Sequence, residues 1–546
     1  MIQKELGINI KMQLRNIVIL VLAWCCIILL VDPRGNFAIN DDWAYAHNVQ
    51  ALVENGKLSF SFWPAMTLIG QTIPAWIWSK VVGFNFTSLR LLTLSYGLIA
   101  ILIYSVLSYK SLGQNNALLV GLIMMFNPYF LGTSFTFMSE VYYLTYLLIA
   151  LFFVNRYYEY TRTQDLLLML LFFALALLTR QIALIFAISF GIVVLLKEKL
   201  NWKTLLIGVV PLLLGIVLLS IYKWVRMQTG DGMGTFSSVT TLLKGITNYS
   251  FYHYYVRYGL VMLHIGFVLI PIVLIYSKTL FKAIVSGRYV SLISGAITVI
   301  ALIMCKDYFP LGNVFDRIGV GPRLIKDVVL GFVEVGNKLQ VLWEIIYVMT
   351  VISATMLVMF AAASIFQIRS RFREIGRFDL LLWILIGGEF SYLILNPIFF
   401  DRYVLIISLL IIILIVRNVE LKRRVVNVVP VILGIPVLIS LMGFMSWQRT
   451  RAEVSELAVN KYHVDRKDMD AGFEYNAWHR VGPIGEPSYD PEDKSWWFVE
   501  DDKYLISSHP FPGYYVVTFR TVPIQLMNPT KRVYLLKRNE TKKATY

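Results

Sequence analysis

The recurrence of long apolar runs constrains this chain more than any other feature. Residues 17–31 contain no charged side chain, and several other stretches carry 15 or more apolar residues without a charge. A helix of about 17–25 such residues crosses the hydrocarbon core of a bilayer. The composition agrees, because 57% of the residues are hydrophobic and 15% are charged, whereas a soluble domain is about 45–50% apolar and about 25% charged. These values exclude a cytosolic globular enzyme and a disordered chain, and they predict an all-α polytopic membrane protein.

Hydropathy predicts about thirteen transmembrane helices. We expect the first one to be an uncleaved signal anchor. Residues 165–196 are also compatible with a broken helix pair or a re-entrant hairpin. The predicted spans lie near residues 16–32, 89–109, 115–131, 139–155, 165–179, 181–196, 204–222, 258–277, 289–305, 339–368, 379–396, 403–416 and 425–447.

The basic residues predict the orientation of these spans. Nineteen Lys and Arg residues fall in six short segments, at or between the ends of the predicted spans. With a cytoplasmic N-terminus all six segments face the cytoplasm, as the positive-inside rule requires. The tail after Trp447 is then external. The net charge of +16 therefore reflects topology, with part of it available for phosphate-bearing ligands, and we expect no nucleic-acid partner.

Two external segments are large enough to have structure of their own. The first external loop, 33–88, is predicted to contain interfacial helices, because a short amphipathic pattern begins after Asp41. The C-terminal segment 448–546 is polar, and its runs Tyr514–Phe519 and Arg532–Leu536 alternate like strands. We therefore expect a transmembrane domain over 1–447 and a small external α/β or β-rich domain over 448–546.

An acidic pair follows the first span, in the segment Asn40-Asp41-Asp42-Trp43-Ala44-Tyr45. One interpretation is structural, because Asn40 or Asp41 can cap the helix that begins here. The other is functional, because a carboxylate at the membrane boundary can act as a general base or as a metal ligand. The two interpretations are compatible, since a capping residue can orient a catalytic neighbour.

Three further charged residues interrupt or adjoin apolar spans. Glu140 opens a span, where it either has a functional role or stabilises a helix N-terminus. Arg180 interrupts the apolar stretch 165–196, and its guanidinium suits either a phosphate or an ion pair with an acid such as Glu140. Arg402 stands before another span, where it either contacts a ligand or snorkels to the interface.

Aromatic residues are dense in the first external loop and can either stack on a substrate or form an interfacial belt. They include Phe60, Phe62, Trp63, Trp76 and Trp78. The six His residues are scattered, and the three Cys residues suggest no metal site or disulfide framework. No P-loop, nucleophile elbow or dinucleotide fingerprint is present. The only cofactor that we consider is a divalent metal ion.

Taken together, these motifs resemble the GT-C superfamily of membrane glycosyltransferases, in the branch with protein O-mannosyltransferases and aminoarabinose transferases. The resemblance covers most of residues 15–420, and the external segment Asp470–Trp478 also looks like a tail element of bacterial members. The matching motifs, in order, are Asn40–Tyr45, Asn127-Pro128 followed by Ser134–Glu140, Leu178–Gln181 and Asp401–Tyr403. Glu140 stands where many relatives carry Asp.

The resemblance implies a glycosyltransferase (EC class 2.4) that uses a polyprenyl-phosphate-linked sugar. The sugar would pass with inversion to a hydroxyl of a lipid, glycan or protein acceptor on the external face, catalysed by the transmembrane domain 1–447. Asp41 would be the general base, and Asp42 and Glu140 would orient it or hold a divalent metal ion. The residues that would bind phosphate are Arg180 and Arg402, and those that would line the substrate are Tyr45, Trp63 and Tyr403.

Two other functions use the same kinds of residues. A transporter or flippase of an anionic or lipid-linked sugar would use buried charges for coupling, although the sequence shows no clear inverted repeat. A polysaccharide polymerase or ligase would also act on polyprenyl-linked sugars. Such enzymes usually carry a large external loop with essential arginines toward the end of the chain. In this chain the acidic residues stand near the beginning, so we favour the transferase.

Overall fold

In a computed structural model of the chain, the described residues are 10–61, 63–108, 115–199, 201–229, 249–316, 319–320, 324–327, 331–334, 340–370, 372–396, 398–418, 424–480, 502–525 and 531–539. Helices make up most of this structure, which confirms the predicted helical class. One predicted aromatic position, Phe62, lies outside the described residues, as does part of the external segment 448–546.

The described helices follow the predicted apolar segments closely. The first half of the chain forms α1 (Ile10–Val31), α2 (Asp42–Asn55), α3 (Ile69–Val82), α4 (Phe86–Leu107), α5 (Asn115–Met125), α6 (Pro128–Ser134), α7 (Ser139–Tyr160), α8 (Thr163–Leu177), α9 (Leu184–Lys197) and α10 (Trp202–Gln228). The second half forms α11 (Phe251–Val268), α12 (Ile270–Ser286), α13 (Arg288–Met304), α14 (Gln340–Ser370), α15 (Arg377–Leu395), α16 (Val404–Asn418), α17 (Val428–Tyr462) and α18 (Phe473–Arg480).

The prediction of about thirteen spans is not confirmed. Six helices of the described chain are long and apolar enough to cross a membrane, or up to eight if two bent helix pairs each count as one span. Helices α8 and α9 have 15 and 14 residues, below the range of about 17–25 for a span, and α13 with 17 residues is at its lower limit. The protein is thus a polytopic membrane protein with six to eight candidate spans.

Two predicted single spans are bent helix pairs. The span predicted at 115–131 divides into α5 and α6, which meet at 63°. Asn127 begins α6 by accepting hydrogen bonds from the backbone N–H groups of Tyr129 and Phe130, and Pro128 occupies the first helical position. The span predicted at 258–277 divides into α11 and α12 at 88°, where Pro271 in the first turn of α12 cannot donate a backbone hydrogen bond.

The centre of the helical domain is formed by α7 and α16. Every residue from Ser139 to Leu148 is buried, and so is nearly every residue of α16. Helix α7 packs against α4 and α8, while α16 packs against α15 and α11. The N-terminal ends of α7 and α16 therefore lie within the structure, with neighbouring helices on several sides.

The first external loop contains α2 and α3, two helices of 14 residues each. In the C-terminal segment, α17 continues through the expected domain boundary at Trp447 to Tyr462. The strands are β1 (Phe315–Asp316), β2 (Gly319–Val320), β3 (Leu324–Asp327), β4 (Gly331–Glu334), β5 (Met469–Asp470), β6 (Tyr504–Ser507), β7 (Tyr514–Thr521) and β8 (Arg532–Arg538). Strand β1 pairs with β2 and β3 pairs with β4, both antiparallel, before α14. The last four strands follow α17 and form a sheet in the order β5-β6-β8-β7.

The C-terminal sheet includes both predicted strands. Strands β7 and β8 are antiparallel, with Phe519 opposite Tyr534 and an irregularity between Val516 and Thr518. Strand β5 pairs in parallel with β6. Val454 of α17 belongs to the same apolar core as Val533 of β8, so the sheet packs on the C-terminal half of the long helix.

Candidate functional site

Four of the predicted site residues form one connected group, which we call the charge cluster: Asp41, Glu140, Arg180 and Arg402. Glu140 lies at its centre, because its Oε1 atom accepts a hydrogen bond from Arg180 Nη1 at 2.8 Å and from Arg402 Nε at 2.8 Å. Arg402 Nη2 lies 3.3 Å from Asp41 Oδ2. Glu140 lies in the first turn of α7, Arg180 follows α8, and Arg402 precedes α16. These three helix ends therefore meet the turn before α2, which contains Asp41.

Asp41 lies at the edge of this cluster. It occupies the N-cap position of α2, but its side chain makes no capping hydrogen bond. Its Oδ1 atom instead accepts a hydrogen bond from the indole Nε1 of Trp63 at 2.9 Å, and its side chain is 18% exposed. Burial raises the pKa of Asp41 above its ordinary value, while Arg402 and the Trp63 hydrogen bond oppose that rise. The carboxylate is oriented by two donors and remains partly accessible.

Asp42 has a different environment, although it is the next residue. Its Oδ1 accepts from the backbone N–H of Ile39 at 2.7 Å, and its Oδ2 accepts from that of Phe137 at 3.3 Å. Asp42 is completely buried, and this burial raises its pKa to about 8, against the lowering effect of Arg90. Asp42 therefore ties the turn before α2 to the segment before α7, and positions Asp41 and Glu140 relative to each other.

The two guanidinium groups and two carboxylates of the cluster compensate each other's charge. Arg402 is 1% exposed and Arg180 is 11% exposed, so removing these two charges from water would be costly without acidic partners. Arg180 Nη1 also donates to the Ser139 hydroxyl at 3.1 Å. Within the described part of the chain, Glu140 Oε2 accepts no hydrogen bond although it is buried. One acceptor atom beside the two arginines thus has no donor.

A loop that the sequence did not single out holds Arg402 in place. Asn313 accepts a hydrogen bond from Arg402 Nη1 through its side-chain oxygen, and the same oxygen lies 3.4 Å from Asn40 Nδ2. The backbone N–H groups of Asn313 and Val314 donate to Asp401 Oδ2 at 3.2 and 2.8 Å. No motif indicated this contact, because Asn313 lies far in sequence from both residues that it bridges.

The C-terminal segment also contacts the turn that presents Asp41. Glu474 of α18 accepts a hydrogen bond from the backbone N–H of Asn40 at 3.3 Å and one from Arg451 at 3.0 Å. Asn40 has φ +57°, a left-handed conformation that asparagine tolerates better than most residues. The Phe473 ring lies 5.5 Å from the Trp63 ring, centroid to centroid. The segment Asp470–Trp478 thus contacts both Asn40, which precedes Asp41, and Trp63, which donates to Asp41.

The three residues predicted to line the substrate lie around the cluster in different ways. Trp63 contacts Asp41, as described above. The Tyr403 ring lies under the guanidinium carbon of Arg180, at 5.3 Å from ring centroid to carbon. Tyr45 is buried, and its hydroxyl lies 3.8 Å from the sulfur of Met66. Among the other loop aromatics, Phe60 packs against Tyr222 and Trp78 donates to the Ser88 carbonyl.

A partly open cavity with an empty volume of about 370 Å³ adjoins the cluster. Its lining includes Glu140, Arg180 and Arg402 of the cluster, and also Glu389. Glu389 was missed from the sequence, although a signal was available, because an ionisable residue inside the predicted span 379–396 indicates a functional site. The cavity and the charge cluster form the candidate active site.

The described residues show no cluster of ligands at the predicted metal site. No group of three or more His, Cys, Asp or Glu side chains that could hold a metal ion is found among them. Both Asp42 oxygens accept hydrogen bonds from backbone N–H groups, and one Glu140 oxygen accepts from two arginines. A divalent ion held by Asp42 and Glu140 stays a prediction.

Comparison with known families agrees with the resemblance seen in the sequence. Residues 73–225 match the model of the dolichyl-phosphate-mannose-protein mannosyltransferase family. The matched segment includes Glu140 and Arg180, two of the four residues of the charge cluster. A mannosyltransferase is a glycosyltransferase, so the match confirms the predicted resemblance to this class of membrane enzyme over these residues.

Two solved structures are similar over nearly the whole chain. One is the crystal structure of ArnT from Cupriavidus metallidurans in the apo state, with 13% identity, a TM-score of 0.46, and coverage of 95% of this chain and 97% of that chain. The other is ArnT from the same organism bound to undecaprenyl phosphate, with 12% identity, a TM-score of 0.42, and coverage of 97% and 99%. No curated protein matches the chain.

Proposed function

We propose that this protein is a membrane glycosyltransferase that moves a sugar from a polyprenyl-phosphate donor to an acceptor hydroxyl, with inversion at the anomeric carbon. The observation that carries the proposal is the arrangement of the charge cluster. A partly exposed carboxylate, Asp41, lies 3.3 Å from the buried Arg402. Arg402 and Arg180 are joined through Glu140 and both line a cavity. The match of residues 73–225 to a mannosyltransferase family supports the same reaction class.

The proposed reaction needs a base on one side of the sugar and cations on the other. Asp41 takes the proton of the acceptor hydroxyl, whose oxygen attacks the anomeric carbon from the face opposite the phosphate. The bond between the anomeric carbon and the phosphate oxygen breaks, and polyprenyl phosphate leaves with the electron pair. Arg180 and Arg402 stabilise the charge that develops on this phosphate. Asp41 then releases its proton to solvent.

Glu140 has an organising role in this scheme. Its single Oε1 atom binds both arginines at 2.8 Å, so the two guanidinium groups are held together before the donor arrives. A donor phosphate competes with Glu140 for Arg180, which is the more exposed of the two arginines. Arg402 stays bound to Asn313 and Glu140, and it orients Asp41. Such preorganisation lowers the reorganisation that the transition state requires.

We also propose the orientation and the division of the chain. The charge cluster lies at the ends of α7 and α16 that the distribution of basic residues assigns to the external face. The transmembrane catalytic domain covers 1–447 and the C-terminal domain covers 448–546. We place the protein in a bacterial plasma membrane with its N-terminus in the cytoplasm and its tail in the periplasm. A prenyl carrier dissolved in the bilayer can reach a site at this boundary.

The proposal is tested with the full-length protein in lipid nanodiscs. A polyprenyl-phosphate sugar labelled in its sugar is supplied with candidate lipid, glycan and peptide acceptors, and release of polyprenyl phosphate is followed by mass spectrometry. We expect release that depends on an acceptor and is lost in Asp41→Asn. Movement of intact donor across the bilayer without bond cleavage would instead identify a transporter, and the proposal would be wrong.

A further inference from the structure

The cavity beside the charge cluster is lined by residues outside that cluster as well. Its lining includes Arg180 and Arg402, which the proposed reaction uses. It also includes Glu389, Tyr143 and Tyr392, which the reaction does not use. Glu389 lies six residues before the last residue of α15, so it is about 9 Å along the helix from that end. A buried carboxyl group therefore faces the cavity inside a predicted membrane span.

The hydrogen bonding of Glu389 within the protein is weak. It is 2% exposed, and the hydroxyl of Tyr143 donates to its Oε1 atom over a long distance of 3.4 Å. No ion pair involving Glu389 is found among the described residues, and both nearby arginines are bonded to Glu140. A buried carboxyl group with so little hydrogen bonding is costly unless a ligand supplies further donors.

The rest of the cavity wall limits which ligand can supply those donors. Aliphatic side chains of Ile182, Leu393, Leu405 and Ile406 form much of the lining, and a prenyl chain could pack against them. A prenyl chain has no hydrogen-bond donor, however, and would leave the carboxyl group unsatisfied. A sugar has both apolar C–H faces and donating hydroxyls, and an apolar lining with a few fixed polar groups is typical of a small-molecule site.

We infer that Glu389 and Tyr143 form a subsite for the sugar of the lipid-linked donor, in which Glu389 accepts hydrogen bonds from ring hydroxyls and Tyr143 fixes its orientation. This inference rests on the proposed function and names how the donor sugar is recognised. The phosphate then contacts Arg180 and Arg402, and the hydroxyls of the sugar ring contact Glu389. Selection among donors with different hydroxyl patterns then occurs at Glu389.

Binding of two kinds of carrier tests the inference. The full-length protein in nanodiscs is titrated with polyprenyl phosphate and with a panel of polyprenyl-phosphate pentoses and hexoses of the same prenyl length. The sugar-loaded carrier that the native protein binds most tightly is then used with Glu389→Gln, Glu389→Ala and Tyr143→Phe. Tyr104→Phe is the matched control, because the Tyr104 hydroxyl is also buried and donates to the carbonyl of Leu409, at 2.8 Å, outside the cavity lining.

Removing one hydrogen bond to a buried carboxyl group weakens binding by about 2- to 10-fold. We expect this loss for the sugar-loaded carrier in Glu389→Ala, a smaller loss in Glu389→Gln, and unchanged binding of sugar-free polyprenyl phosphate in both. Tyr104→Phe leaves both carriers unaffected. The inference is wrong if the Glu389 variants bind both carriers equally more weakly, or if they bind both as tightly as the native protein does. It is also wrong if the native protein binds sugar-loaded carriers no better than the sugar-free carrier. Failure of the native protein to bind any polyprenyl phosphate overturns the proposed function itself.

Discussion

Replacing Asp41 with Asn separates the proposed chemistry from the structural role of this residue. The introduced amide is nearly the same size as the carboxylate, and its oxygen can still accept the Trp63 hydrogen bond, which is 2.9 Å long in the native protein. The amide nitrogen cannot accept from Arg402 and cannot take a proton from an acceptor. General base catalysis contributes about 10²- to 10⁴-fold to a rate, and we expect kcat to fall by a factor in this range.

The same substitution has a limited effect on folding. It removes one charged contact, the 3.3 Å pair with Arg402, whereas Arg402 keeps its bonds to Glu140 and Asn313. The loss of one hydrogen bond to a charged group costs about 1.5–3 kcal/mol of folding free energy. We therefore expect a modest decrease in thermal stability and a normal yield of membrane-inserted protein.

The assay measures single-turnover release of polyprenyl phosphate, with stability measured in parallel. Asp165→Asn is a suitable control, because Asp165 is also buried and forms a 2.8 Å ion pair with Arg156, and it takes no part in the proposed site. The control should keep the native kcat. If Asp41→Asn also keeps the native kcat, Asp41 is not the base.

Three further predictions follow from the same contacts. Burial raises the pKa of Asp41 above 3.8, and the base acts when ionised, so kcat should fall as the pH decreases through that raised pKa. Trp63→Phe removes a hydrogen bond that lowers this pKa, so it should move the acidic limb of the pH–rate profile to higher pH. An unmoved limb would contradict the assignment of Asp41 as the base. Arg180→Gln should raise the dissociation constant of sugar-free polyprenyl phosphate by about 10- to 100-fold, and unchanged affinity in a binding titration would remove Arg180 from the phosphate site. Glu474→Ala should lower kcat with little change in donor KM, because Glu474 holds the backbone of Asn40, and a change in KM alone would show that the tail acts on donor binding instead.

Several features of the site could be predicted from the sequence because they depend on local patterns. Apolar runs indicate helices wherever they occur, and a charged residue at the edge of such a run is conspicuous. Asp41, Glu140, Arg180 and Arg402 were selected in this way, and the structure brings all four together. Glu389 could have been selected by the same argument.

The roles of neighbouring residues could not be separated in this way. Asp41 and Asp42 are adjacent and chemically identical, and only the packing shows that Asp41 faces Arg402 while Asp42 binds two backbone N–H groups. The number of spans could not be predicted either, since hydropathy does not show whether a bent helix pair, at 63° or at 88°, counts as one span.

Local patterns in the sequence are enough to show that this chain forms membrane helices and that a few ionisable residues stand at the helix ends. These properties follow from the free energy of transferring each residue from water to hydrocarbon, which is a local quantity. The packing of the helices was needed to show that Glu140 binds two arginines, that Asn313 bridges Arg402 and Asn40, and that Glu474 contacts the turn that contains Asp41. Such contacts join residues up to 434 positions apart, and they depend on the relative position and rotation of packed helices, which no local pattern encodes.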